Sequence, residues 1–206
     1  TDPFLGQDLT FFVILLPLLR AVVTLGLVVA FLVFTLVAAG YAATGAFQWG
    51  PGRFVVEKPP RVHLGVIIAA FCVMLAAQFW LARYVLLLNG TSGVQGIFGF
   101  ADAAARMPAY GILALLALSV SAAALWSCFQ NRPLPLIVTS GVLIVGGLAV
   151  GQAYPLFIQR FRVEPNELER ESPFILENMR FTRMGFDLTN LAAKIRILFP
   201  QAALWV

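Results

Sequence analysis

Residues 11–40 of this chain, FFVILLPLLRAVVTLGLVVAFLVFTLVAAG, form an apolar run interrupted by a single charge, Arg20. As one helix the run would measure about 45 Å, against roughly 30 Å for the hydrocarbon core of a bilayer. Three further apolar runs of about twenty residues follow it, and runs of that length need lipid as their solvent. Composition agrees: 60% of the 206 residues are hydrophobic, 12% are charged and the mean hydropathy is +0.88. A water-soluble fold of this size could not hide so much apolar surface.

The expected fold is all-α, a polytopic membrane helix bundle of about four spans with interfacial helices. Pro17 and Arg20 divide the first run into an interfacial segment, 8–19, and a first span, 20–43, with Arg20 snorkelling to the head groups. Gly, Pro and charged residues over 44–62 read as a loop. The second span is 63–83, ending in FWLARY, where Phe79, Trp80, Arg83 and Tyr84 make an aromatic and cationic belt, and the VLLL beyond it can extend the helix. A glycine-spaced connection over 89–107 carries Asp102 and Arg106 at helical spacing. The third span is 108–129, opened by Pro108, and the fourth is 134–154, in which Gly147 and Gly151 make a small-residue face for helix packing. Residues 1–158 thus form the embedded unit and 159–206 an amphipathic surface tail, with a helix starting near Ser172 and Pro173 and a terminal apolar piece broken by Pro200.

The net charge of +4 comes from 14 basic and 10 acidic residues placed in the gaps between the runs. That is a juxtamembrane pattern and gives no nucleic-acid footprint. Arg53, Lys58, Arg61 and Arg132 fall on one side and Arg20, Arg83, Arg106, Arg160 and Arg162 on the other, a balance that leaves orientation open. Cys72 and Cys128 lie inside apolar runs, where a thiol behaves as a small hydrophobe. No cleavable signal pattern precedes the first run, so targeting by the first span is the simpler reading.

Little chemistry is available. The one histidine, His63, opens the second span without a Cys or carboxylate at ligand spacing. Two readings stand for it: a structural or interfacial role, or axial ligation of a tetrapyrrole. There is no nucleophile elbow, no phosphate-binding glycine loop and no pair of carboxylates inside a span, so a non-enzyme is expected. Asp102 with Arg106 either shapes the entry to the third span or gates a solute path. Gln78, Ser121, Thr139 and Gln152 are the polar side chains within the spans, and helix-to-helix hydrogen bonds account for them. In the tail, Glu164, Glu167, Glu169 and Glu171 alternate with Arg160, Arg162 and Arg170, as on a solvated surface or a docking face.

Four strings carry a resemblance: DPFLGQDLTFFVILLP at 2–17, LARY at 81–84, ADAAARMPAYGILALLAL at 101–118, and YPLFIQRFRVEPNELERESPFILENMRFTRMGFDL at 154–188. Together they resemble the uncharacterised protein family zero-one-eight-two of bacteria, most specifically around Pro165, Asn166, Glu167, Thr182 and Arg183. The resemblance implies a multi-pass protein of the bacterial inner membrane with an extracytoplasmic tail, leaving Lys58, Arg61 and Arg132 inside. Members of the family typically have about seven spans and a large extracytoplasmic domain. Set beside that pattern, the sequence is expected to be a membrane core without the early spans, with TNLAAKIRILFPQAALWV standing where the large domain would follow.

The expected function is therefore a non-catalytic subunit of a larger membrane complex, photosynthetic or respiratory in setting. Its partners would be membrane lipid and other membrane-protein subunits, with Asn166, Glu167 and Arg183 as partner-docking residues. The alternative is a transporter or lipid-handling module.

Overall fold

A computed structural model describes residues 5–50, 53–90, 98–186 and 188. Among the described residues helix dominates, and four helices are long and apolar enough to cross a membrane: Phe11–Ala43, Lys58–Leu88, Asp102–Gln130 and Leu134–Val163. The first begins with a π turn, Phe11–Leu15, and continues as α1, Leu16–Ala43. A hairpin follows, with β1 (Phe47–Gly50) antiparallel to β2 (Arg53–Val56) and Phe47 opposite Val56. Next come α2 (Lys58–Leu88), a π turn Asp102–Arg106, and α3 (Met107–Gln130). The last spanning helix is α4 (Leu134–Leu148), a π turn Ala149–Ala153, α5 (Tyr154–Ile158) and a π turn Gln159–Val163. A single 3-10 turn, Glu164–Asn166, leads into α6 (Glu167–Gly185).

Each of these four π turns ends two residues before a proline: Pro17, Pro108, Pro155 and Pro165. A proline ring inside a helix lacks the N–H and crowds the carbonyl four residues back. A turn bonded one residue wider moves that carbonyl aside, so the helix continues where it would otherwise kink or stop. This corrects the division of the first run, because no break separates 8–19 from 20–43: Pro17 sits in an unbroken helix of 33 residues. The fourth helix likewise runs on through Pro155 to Val163 instead of ending near 154. Pro59 and Pro60 occupy the first turn of α2, where an N–H has no helical partner in any case. Helix therefore begins at Lys58, inside the region read as loop, and the VLLL segment does extend it, to Leu88.

The helices stand as an open row. Among the described residues α2 packs on α1 and on α3, α3 packs on α4, and no sustained contact joins α1 to α3 or α4, or α2 to α4. Between α1 and α2 the core is Phe12, Leu16, Val23 and Leu81. Among the buried positions of α2 are Gly65, Ala69, Cys72 and Ala76, a spacing of four, three and four that keeps small side chains on one seam. α3 answers with Ala117, Ser121, Ala124 and Cys128. Small residues bring the backbones close, which is how helices associate in lipid, where apolar burial alone gives no drive. A Cβ on Gly65 would lie 2.5 Å from Cys128 Cβ. The Ser121 hydroxyl donates to the Ala69 carbonyl at 3.0 Å across this seam. At the edges of the row, α1 and α4 leave most of their apolar surface outward.

Candidate functional site

Polar side chains gather at the two ends of the row. At the hairpin end, Asn131 takes a left-handed conformation, φ 55°, and its N–H returns to the Ser127 carbonyl, closing α3 as a C-terminal cap. Arg61, on the first turn of α2, donates from Nε to the Cys128 carbonyl at 3.0 Å and from Nη1 to Asn131 Oδ1. A cation at the negative end of a helix satisfies carbonyls that lack helical donors. Arg61 therefore clamps the start of α2 to the end of α3. Replacing it with alanine is expected to cost about 1.5–3 kcal/mol, the range for hydrogen bonds to a charged group. Thermal unfolding in detergent would read the loss, and an unchanged midpoint would rule the clamp out.

Beside it, Tyr41 Oη lies 3.3 Å from His63 Nδ1 with the two rings edge to face. His63 is exposed, and this contact ties the end of α1 to the start of α2. Among the described residues no group of three His, Cys, Asp or Glu could hold a metal ion.

The opposite end is more deeply built. The Gly99 carbonyl accepts the first helical bond, from Ala103 N–H, which makes Gly99 the N-cap of the third helix. Asp102, three residues on, reaches back so that Oδ2 accepts from the Gly99 N–H at 3.3 Å, one half of a capping box. Its other oxygen accepts from Arg106 Nη1 at 2.7 Å. Asp102 is fully buried. The pair thus lies inside a helix start rather than in a loop, and a carboxylate there suits the positive end of the helix.

Around this pair, Ala101 and Ala105 pack with Ile158 and Val163 at the far end of the fourth helix. The first turns of α6 lie against the same place: the Arg170 guanidinium stands 5.2 Å over the Phe100 ring, and Phe174 meets Phe98 edge to face at 5.9 Å. Glu171, between them, is only 3% exposed. That corrects its placement on a solvated charge face. The tail's exposed ion pair, Arg180 with Glu177 at 3.8 Å, is of the weak surface kind. The arrangement offers a carboxylate held by a guanidinium and a backbone N–H, and it can order a helix start and seat a surface helix.

Other residues to which the sequence pattern pointed fall differently. Gly151 does meet α3, where a Cβ would come 3.4 Å from Leu113 Cδ1, but around Gly147 there is open space. The close glycine is Gly146, whose Cβ would lie 2.9 Å from Leu116 Cδ1. Asn166 and Arg183 are exposed, at the turn before α6 and in its last turn, and Glu167 is the first residue of α6. Asn166 and Arg183 are not brought into the buried cluster. The terminal apolar piece at 189–206 lies outside the described residues. Sequence pattern does not single out Arg61, Gly65 or Gly146 as contact residues; the one available signal for Arg61 is its place on the first turn after two prolines.

The chain matches the sequence model of the Uncharacterised protein family (UPF0182) over residues 1–197. It is similar to a protein of that family from Geobacter sulfurreducens, 35% identical over 93% of this chain and 21% of the relative. A relative from Kocuria rhizophila is 37% identical, covering 91% of this chain and 19% of its own length. One from Geotalea uraniireducens is 35% identical over 92% of this chain and 21% of its own. The chain spans about a fifth of the length of these curated relatives. No solved structure matches it.

Proposed function

We propose that this chain, which belongs to the uncharacterised protein family UPF0182, is a non-catalytic membrane element that packs against other membrane-protein helices and seats a surface helix at one end. The observation that carries this reading is α4. Its apolar stretch has no buried residue, and Gly141 and Gly147 present backbone to open space with nothing within 4 Å of their Cβ positions. In lipid, glycine on an outward face allows another helix to approach closely, whereas a helix meeting only acyl chains gains nothing from it. A bacterial inner membrane and an extracytoplasmic α6 complete the proposal.

Photo-crosslinking from position 141 or 147 in native membranes tests it. The expected product is a discrete protein adduct that is absent when the probe sits at exposed Leu36 on α1. Adducts to lipid alone, at all three positions, would overturn the reading.

One observation favours the alternative of lipid handling. A groove of about 460 Å³ between α3 and α4 is lined by Leu116, Val138, Gly141, Val142, Val145 and Gly146, wholly apolar and open to the side. A solute path has less behind it, since Thr139 donates its hydroxyl to the Pro135 carbonyl and Ser121 to that of Ala69.

A further inference from the structure

We propose that Arg83 on α2 forms, with Trp80, a binding site for an anionic phospholipid, holding the head-group phosphate while an acyl chain lies along the exposed stripe of the same helix. This rests on the membrane reading of the four helices and not on what α4 packs against.

The guanidinium of Arg83 stands 4.6 Å over the Trp80 ring, which fixes it in place before any ligand arrives. Arg83 is partly buried, its Nε is enclosed without a hydrogen-bond acceptor, and among the described residues no carboxylate lies within ion-pair distance of it. Asp102 is taken by Arg106 on another helix. A half-buried cation at the edge of a low-dielectric medium calls for an anion. The planar fork of arginine matches phosphate oxygens in a bidentate way.

The depth is right as well. Tryptophan and tyrosine mark the head-group level of a bilayer, and Trp80 and Tyr84 flank Arg83, with Tyr84 meeting Phe11 edge to face at the start of the first helix. From Arg83 inward, Trp80, Met74 and Val73 are exposed, at 49%, 36% and 45%. Trp80 and Val73 are seven residues apart and share one face. The rise from Arg83 to Val73 is about 15 Å, close to half the hydrocarbon core and so to the reach of one leaflet. α1 and α3 both pack on α2, and this stripe is a part of α2 that they leave exposed, with a cation at its head-group end.

The test is native mass spectrometry of the purified chain in detergent, titrated with phosphatidylglycerol or with phosphatidylcholine of the same acyl chains. Wild type is expected to hold phosphatidylglycerol about tenfold more tightly, because the choline cation of phosphatidylcholine offsets the phosphate charge that the Arg83 guanidinium meets. Arg83→Gln is expected to bring the two lipids within about twofold, and Trp80→Leu, which keeps the charge but frees it, to fall between. Arg20→Gln removes the same charge from an exposed site on α1 and is expected to leave the preference intact. Inorganic phosphate at millimolar concentration is expected not to displace the lipid. Equal binding of the two lipids by wild type, a preference that survives Arg83→Gln, equal loss in Arg20→Gln, or displacement by inorganic phosphate would each overturn the proposal.

Discussion

Gly65→Val is expected to separate α2 from α3 and to give the largest loss of stability of any apolar substitution in the row. The first added atom would already lie 2.5 Å from Cys128 Cβ and 3.0 Å from its Sγ. That Cβ is fixed to the α3 backbone and cannot swing away like the tip of a long side chain, so the helices themselves would have to part. Overpacking of this kind costs about 1–3 kcal/mol and sometimes more. Here separation would also stretch the Ser121 bond to the Ala69 carbonyl and the Arg61 bond to the Cys128 carbonyl, one on either side of the clash. Gly65→Ala is expected at the lower end of the range and Gly65→Val at or beyond the upper. Unfolding by SDS in mixed micelles, followed by helical circular dichroism, reads the loss. Cys128→Gly in the same molecule removes the opposing Cβ, and the Gly65→Ala, Cys128→Gly double variant is expected to recover most of the penalty. Gly147→Ala, where a Cβ meets nothing, is expected to be neutral or to gain up to about 1 kcal/mol from helix propensity. A Gly65→Ala protein that unfolds with wild type would contradict the close seam.

The contrast between Gly65 and Gly147 also marks how far the residues alone could be read. The number of spans was legible, because lipid tolerates about twenty apolar residues per crossing and charges mark the gaps. Family membership was legible in the tail motif around Asn166 and Glu167, and the match over 1–197 bears it out. Phase along a helix was not. Consecutive residues differ by 100°, so Gly146 and Gly147 are equal candidates in a run that is apolar all round, and only contact with Leu116 singles out the first. Nor was continuity through proline legible. Pro17 ends a helix by the usual rule, yet a π turn before it lets the helix pass, and that stretch packs through Phe12 and Leu16 in one cluster with Leu81. Glu171 defeated pattern reading for a different reason. Its neighbours alternate in charge as on a wet surface, yet it is 3% exposed, and Arg170 and Phe174 on either side of it meet Phe100 and Phe98 some seventy residues earlier.

That same end of the row carries the other large expected effect. Asp102→Ala removes the acceptor for the Gly99 N–H and leaves Arg106, whose side chain is 21% exposed, without the carboxylate it holds at 2.7 Å. Removing one partner of a buried pair costs about 3–5 kcal/mol, and partial access of Arg106 to water places the expected loss near the lower figure, about 3 kcal/mol. Asp102→Asn keeps an acceptor for Gly99 and is expected to lose less. The Asp102→Ala, Arg106→Ala double variant removes both ends of this bond, so its loss is expected to fall short of the sum of the singles by about 1–3 kcal/mol. A purely local role in the helix start would end there. Ala101 and Ala105, one turn apart and flanking Asp102, hold Ile158 and Val163, and Phe100 carries Arg170, so fraying of this start releases the seat of α6. Limited proteolysis between 159 and 186 is therefore expected to quicken in Asp102→Ala but not in Gly65→Ala, whose damage lies at the hairpin end. Strict additivity of the two singles, or cleavage of the tail at the wild-type rate in an Asp102→Ala protein that is measurably destabilised, would show that the pair caps α3 without holding α6.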